Sequence, residues 1–196
     1  MEAREKIFQA ADRLFSINGF DATTTREIAE ASNTNKALIH YHFKSKRGLF
    51  QAILDRYFDN LSETLQRVLF KNGATGDRLA AVIEAYVDFL AKNRSYALIV
   101  QREIAGGTGR ERIMEHMIHN FQMIITALRD AYPESDYRNI DAEQLLISFY
   151  GMIVTYFTYS GVIERMLKSD PLSQANLAKR KEHLLMMAQA VLKAAG

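Results

Sequence analysis

The segment from Thr24 to Phe50, TTREIAEASNTNKALIHYHFKSKRGLF, leaves the chain few ways to fold. It reads as two short helices joined by a tight turn and running into a much longer helix. Thr24 and Glu27 fit a capping box, in which the threonine hydroxyl accepts the amide three residues on and the glutamate reaches back. Ile28, Ala29 and Ala31 give the first helix a small apolar face. Ser32-Asn33 interrupts it, and asparagine tolerates the left-handed conformation that such a turn requires. Thr34 or Asn35 can cap a second helix of about two turns, on which Ile39 and Phe43, four apart, point the same way.

The remainder of that second helix faces outward with Lys36, Ala37, Leu38, His40, Tyr41 and His42, followed by Lys44, Lys46 and Arg47. No acid occurs between Glu30 and Asp55. Donors, an aromatic ring and cations beside an all-basic exit suit insertion into a DNA major groove. Charge is distributed to match. Residues 1–50 hold eight Lys and Arg against six Asp and Glu, whereas the remainder balances, so the net +2 is concentrated at one end. A local cationic stripe on a neutral body fits phosphate neutralisation confined to that end.

These residues carry a resemblance. IFQAADRLFSINGFDATTTREIAEAS from Ile7, then NKALIHYHF, then KSKRGLF, resemble the N-terminal domain of TetR-type transcriptional repressors, the TetR/AcrR family, over roughly the first quarter of the chain. The family usually has Gly-Val in the turn, where this chain has Asn33-Thr34, and a small residue plus Thr where it has Ala37-Leu38. Leucine can touch a thymine methyl but cannot hydrogen-bond a base or phosphate, so the half-site is expected to differ from that of relatives with Thr.

The rest of the chain reads as helix, nine or so in all, with no strand signal of any length. Ile7, Ala10, Ala11, Leu14 and Phe15 form the stripe of the first helix, ended by Asn18-Gly19 with Phe20 folding back. A fourth helix runs from near Lys46 to a stop at Asn72-Gly73. A fifth runs from about Asp77 to Lys92, a shorter one from about Tyr96 to Ile104, and another from about Arg110 to Tyr132, ended by Pro133. Asp141 with Gln144 fits a further capping box, and Asp170-Pro171 places a cap before a proline at the first position of the last helix.

Between Gln144 and Ile163 lie twenty uncharged residues, long enough to span a membrane. Ser148, Tyr150, Thr155, Tyr156, Thr158, Tyr159 and Ser160 make the stretch more polar than a lipid-facing helix, so it is read as buried within protein and no membrane partner is expected. Cysteine is absent, which removes disulfides and thiolate metal sites and favours a reducing cytoplasm. MEAREKIFQAADRLF lacks the apolar core of a signal peptide.

Chemistry is sparse. His40 and His42, two apart, diverge on a helix; His116 and His119 share a face with Glu115, yet packing explains them better than a metal. Gly106-Gly107-Thr108-Gly109 lacks the Gly-Lys-Ser/Thr ending of a phosphate loop and is read as a connector. No nucleophile-base arrangement and no nucleotide fingerprint occurs, so neither an enzyme nor a cofactor is expected.

The expected fold is all-α: an N-terminal three-helix helix-turn-helix DNA-binding domain (1–46), joined by a long helix to a larger helical effector-binding and dimerisation domain (47–196). The resemblance implies a ligand-responsive repressor on a palindromic operator, a homodimer through the last two helices, and a small-molecule effector. Lys36, Ala37, Leu38, His40, Tyr41 and His42 are the expected groove contacts, and Thr25, Arg26, Asn35 and Lys46 the phosphate contacts. Aromatic and methionine side chains suit an apolar cavity for a hydrophobic or aromatic effector. Its expected wall takes Phe58 and Leu61 from the fourth helix and Tyr86 and Phe89 from the fifth. Arg102, His116, Met117, Phe121, Tyr150 and Phe157 complete it.

Overall fold

The computed structural model describes residues 2–70, 78–132 and 140–195, which form ten α-helices and no strand. They are α1 (Ala3–Asn18), α2 (Thr25–Ser32), α3 (Lys36–Phe43), α4 (Lys46–Leu69), α5 (Arg78–Lys92), α6 (Arg94–Ile104), α7 (Arg110–Ala131), α8 (Ala142–Thr158), α9 (Ser160–Leu167) and α10 (Gln174–Ala195). The expected stops at Asn72-Gly73 and Pro133, and the expected start at Asp77, lie outside the described residues. The chain divides into two compact units, one of residues 1–60 and 93–116, the other of residues 61–92 and 117–196.

In the first unit α1, α2 and α3 pack on one another, and α6 packs on α1. Phe15, Phe20 and Phe50 interlock with ring centroids 5.0–5.8 Å apart, joining α1, the chain after it and α4. Ile7, Ile28, Ile39, Leu49 and Ile53 complete an interior with almost no solvent contact. At roughly 1.5–3 kcal/mol for each large apolar side chain buried, this cluster is the main reason three short helices hold together. Gly19 (φ 84°) ends α1, and its amide donates to the Phe15 carbonyl at 2.9 Å.

The glycine loop 106–109 is built around one carboxylate. Glu103 is buried and its Oε2 accepts the Gly109 amide at 2.8 Å. A Cβ on Gly107 would lie 2.3 Å from that same oxygen and 2.8 Å from the Glu103 Cα, so a side chain there would force the carboxylate and the backbone to shift. Tyr57 donates to Asp12 Oδ1 at 2.6 Å, and Arg56 makes a two-pronged pair with Glu5 at 3.0 and 3.1 Å. Burial raises the Asp12 carboxyl above the ordinary carboxylate range, opposed by its hydrogen bonds from Tyr57 and Ser95.

In the second unit α10 packs along α5, and α5 against α8. Leu65, Leu79, Ile83, Val87, Leu90, Ile153, Phe157, Leu184 and Ala188 are buried there. Two expectations are corrected. The apolar run from Gln144 to Ile163 is not one helix: α8 ends at Thr158 and α9 leaves at 74° to it. The break falls beside Ser160-Gly161, a small-residue pair of the kind that kinks helices. The last helix does not start at Pro171 either. Asp170 Oδ1 accepts the Leu172 amide in a turn, and Ser173 caps Asn176, so α10 begins three residues after the proline.

Candidate nucleic-acid interface

The helix-turn-helix is held by bonds local to its own sequence. Thr24 Oγ1 accepts the Glu27 amide at 3.2 Å while Glu27 Oε2 accepts the Thr24 amide at 2.7 Å. Asn33 sits in the left-handed region (φ 50°, ψ 49°), and Thr34 donates to the Ala29 carbonyl at 2.9 Å. Ser32 Oγ lies 2.8 Å from the Thr34 hydroxyl, tying the two sides of the turn. Asn35 caps α3, accepting the Ala37 amide at 2.9 Å. Of the two residues able to cap this helix, Asn35 does so.

On α3, Ile39 and Phe43 are the buried pair. Beyond Phe43 the chain turns into α4 so tightly that a Cβ on Gly48 would lie 2.1 Å from the Phe43 carbonyl oxygen. Only glycine fits this approach, which sets the exit of α3 against the first turn of α4.

The opposite face of α3 gathers Lys36, Ala37, His40 and Tyr41, all exposed; Tyr41 has 73% of its surface open to solvent. Leu38 and His42 flank them half-buried, and the Tyr41 and His42 rings meet edge to face at 5.0 Å. Lys44 and Arg47 are exposed just beyond the helix. The phosphate candidates differ in their surroundings. Thr25 is half-buried at the start of α2, Asn35 is exposed, and Arg26 is exposed but pairs with Glu30 at 2.9 Å. Such an exposed pair is weak and opens readily.

Lys46 has partners of its own. Its ammonium lies 2.8 Å from the Phe20 carbonyl, 2.9 Å from that of Thr23 and 3.4 Å from that of Asp21, and 4.3 Å above the Phe20 ring. An ammonium has three protons, so these carbonyls engage it fully and brace the α1–α2 loop against α4.

The effector candidates fall in both units. In the first, Phe58 and His116 stack with centroids 4.5 Å apart and planes 4° apart. Arg102 donates to the carbonyls of Phe15 (3.4 Å) and Ile17 (3.1 Å), an assignment that periodicity in α6 does not reveal. In the second, Tyr86 stacks on Phe89 and Tyr150 at 6.5 and 6.0 Å, and Phe121 meets Tyr150 at 5.1 Å. Burial raises the Tyr150 hydroxyl above its ordinary value, so it remains a proton donor. Leu61 and Phe157 are buried, and Met117 is half-buried. Missed from the sequence were Ser62 and Asn120, 2.7 Å apart in the second unit; a lone polar residue within an apolar repeat was the available signal.

Among the described residues no group of three or more His, Asp or Glu is arranged to hold a metal ion. No single described helix is long and apolar enough to cross a membrane; the bent pair α8–α9 passes by length and composition only.

Comparison with known proteins adds to this geometry. Residues 7–53 match the family model described as bacterial regulatory proteins, tetR family. The chain is 21% identical over 175 residues to the probable HTH-type transcriptional regulator YttP of Bacillus subtilis (strain 168), covering 87% of this chain and 84% of that one. The fold is similar to that of AibR in a complex with isovaleryl coenzyme A and operator DNA (TM-score 0.75, 20% identity, 95% of this chain and 97% of that one). It is also similar to that of FadR from Bacillus subtilis in a complex with stearoyl-CoA (TM-score 0.70, 18% identity, 92% and 96%). Residues 7–53 thus match the tetR family of bacterial regulatory proteins, and the chain as a whole shares the all-helical fold of the solved regulators it resembles.

Proposed function

We propose that the protein is a homodimeric, ligand-responsive repressor acting in the cytoplasm on a palindromic operator. Residues 1–46 are its DNA-binding domain and residues 47–196 its effector and dimerisation domain. The observation that carries the reading is the exposed face of α3, where Lys36, His40 and Tyr41 stand together on a helix whose other face is locked into the core. In this reading these three residues and His42 read bases, and Ala37 and Leu38 add apolar contacts. Thr25, Arg26 and Asn35 hold phosphates. Lys46 acts through the loop it braces, and reaches a phosphate itself only by leaving its carbonyls.

The homodimer forms through α8 and α10. Ile147 on α8 and Met186, Met187 and Val191 on α10 are large apolar side chains left exposed, a pattern that marks an interaction face. The effector is a hydrophobic or aromatic small molecule, in keeping with the acyl thioesters bound by AibR and FadR. Phe58, Leu61, Tyr86, Phe89, Arg102, His116, Met117, Phe121, Tyr150 and Phe157 remain its candidate residues. It acts by binding more tightly to a conformer in which α4 shifts and the two recognition helices of the dimer no longer match successive major grooves.

Selection from a random double-stranded DNA pool at moderate salt tests this. Enrichment of an inverted repeat is the expected result. A soluble dimer that enriches nothing would instead be a helical small-molecule-binding module without sequence-specific DNA recognition.

A further inference from the structure

Asn120 on α7 is 3% exposed. Its Oδ1 lies 2.7 Å from the Ser62 hydroxyl on α4, while its Nδ2 is buried with no hydrogen-bond partner among the described residues. Both residues belong to the second unit. A primary amide carries two N–H donors, and a buried donor left unmade forfeits its hydration with nothing in return. The surroundings do not compensate: Leu65, one turn beyond Ser62, and Ile124, one turn beyond Asn120, are buried and apolar. A leucine, with the same branched outline, would place no unpaired donor at the position. For stability alone the amide is therefore a poor choice, and it is better explained by a partner that comes and goes.

We propose that Asn120 is the polar recognition residue of the effector site. The effector then joins an apolar body to an uncharged hydrogen-bond acceptor, a carbonyl oxygen of the ester, thioester, ketone or amide class, which accepts the Nδ2 proton. A carboxylate is disfavoured because neither Asn120 nor Ser62 carries a charge to offset the burial of another. Ser62 fixes the amide by holding its oxygen end, so that the donor end presents a set direction. This rests on the effector-binding reading above and narrows its ligand class.

The test uses the full-length protein and its Asn120→Leu variant. Without ligand, the variant is expected to melt higher than the wild type, because the orphaned donor is gone. Methyl octanoate and 2-decanone are then titrated against nonane and octanoate, with binding read by melting shift and, separately, by release of the selected DNA. The wild type is expected to bind the two carbonyl compounds about tenfold or more tighter than nonane or octanoate, and the variant to lose that preference over nonane. A variant that melts lower, a wild type that binds ester and alkane equally or binds none of the probes, or a variant that keeps the preference would each overturn the proposal. Carbonyl-selective binding without DNA release would support the site while overturning the repressor reading, so the two fail separately.

Discussion

The Arg102 Nη2 lies 3.1 Å from the main-chain oxygen of Ile17, so α6 supplies a donor to the open carbonyls at the end of α1, 85 residues earlier in the chain. A cation at a helix C-terminus is favourable both as a donor and against the helix dipole. Gly19 lies directly beneath: its φ of 84° suits glycine, and a Cβ there would come within 3.0 Å of Arg102 Cδ. Arg102→Ala is expected to cost up to about 1 kcal/mol in denaturant unfolding, since the guanidinium is exposed. Gly19→Ala adds backbone strain to the clash and is expected to cost more.

Replacing Lys46 with methionine keeps much of its length and removes the charge. The carbonyls of Phe20 and Thr23 then lose their donor, and unfolding stability is expected to fall by about 1–3 kcal/mol. The salt dependence of DNA binding separates the two roles for this residue. A brace leaves the slope of log K against log salt nearly unchanged, whereas loss of a phosphate contact reduces it by about 0.9.

Tyr41→Ala is expected to weaken operator binding markedly while leaving the melting temperature nearly unchanged, because the side chain is 73% exposed. Leu38→Thr is expected to shift the preferred half-site, read by repeating the DNA selection, with a smaller change in overall affinity. An unchanged consensus would remove Leu38 from the base-reading face.

Asp12 gives a pH-dependent contribution of known sign. Its folded carboxyl holds a proton to higher pH than the unfolded one, so the folded state binds more protons in that window. Stability therefore falls as pH rises from the ordinary carboxylate value, about 3.9, through the raised folded value, and levels off above it. In Asp12→Asn this fall is expected to be absent. The difference between the two melting curves from pH 4 to 8 isolates it, since Glu5, whose carboxyl Arg56 lowers, is the same in both.

Met187→Glu, on the exposed apolar face of α10, is expected to raise the monomer fraction in sedimentation and to weaken operator binding in parallel, without loss of helix signal. A variant that stays dimeric would move the interface elsewhere.

The sequence by itself determined what local bonding determines. Thr24 and Glu27, Asn33 and Asn35 specify two helix starts and a turn through side chains a few residues apart, and the structure contains each of those bonds. Ile39 and Phe43 identify the inner face of α3, and with it the outer one, because a helix has only two sides to divide between core and solvent. The end of α8 was not legible in the same way. Periodicity runs straight through Thr158, yet the helix breaks there, beside a Ser-Gly pair, and bends by 74°. Tertiary structure alone decided the partners of polar side chains: Lys46 with the carbonyls of Phe20 and Thr23, Arg102 with those of α1, and Asn120 with Ser62. Those partners lie 23 to 87 residues away in sequence. A side chain with several rotatable bonds carries no sign of which distant carbonyl the fold will bring within reach, whereas a cap carries its partner with it.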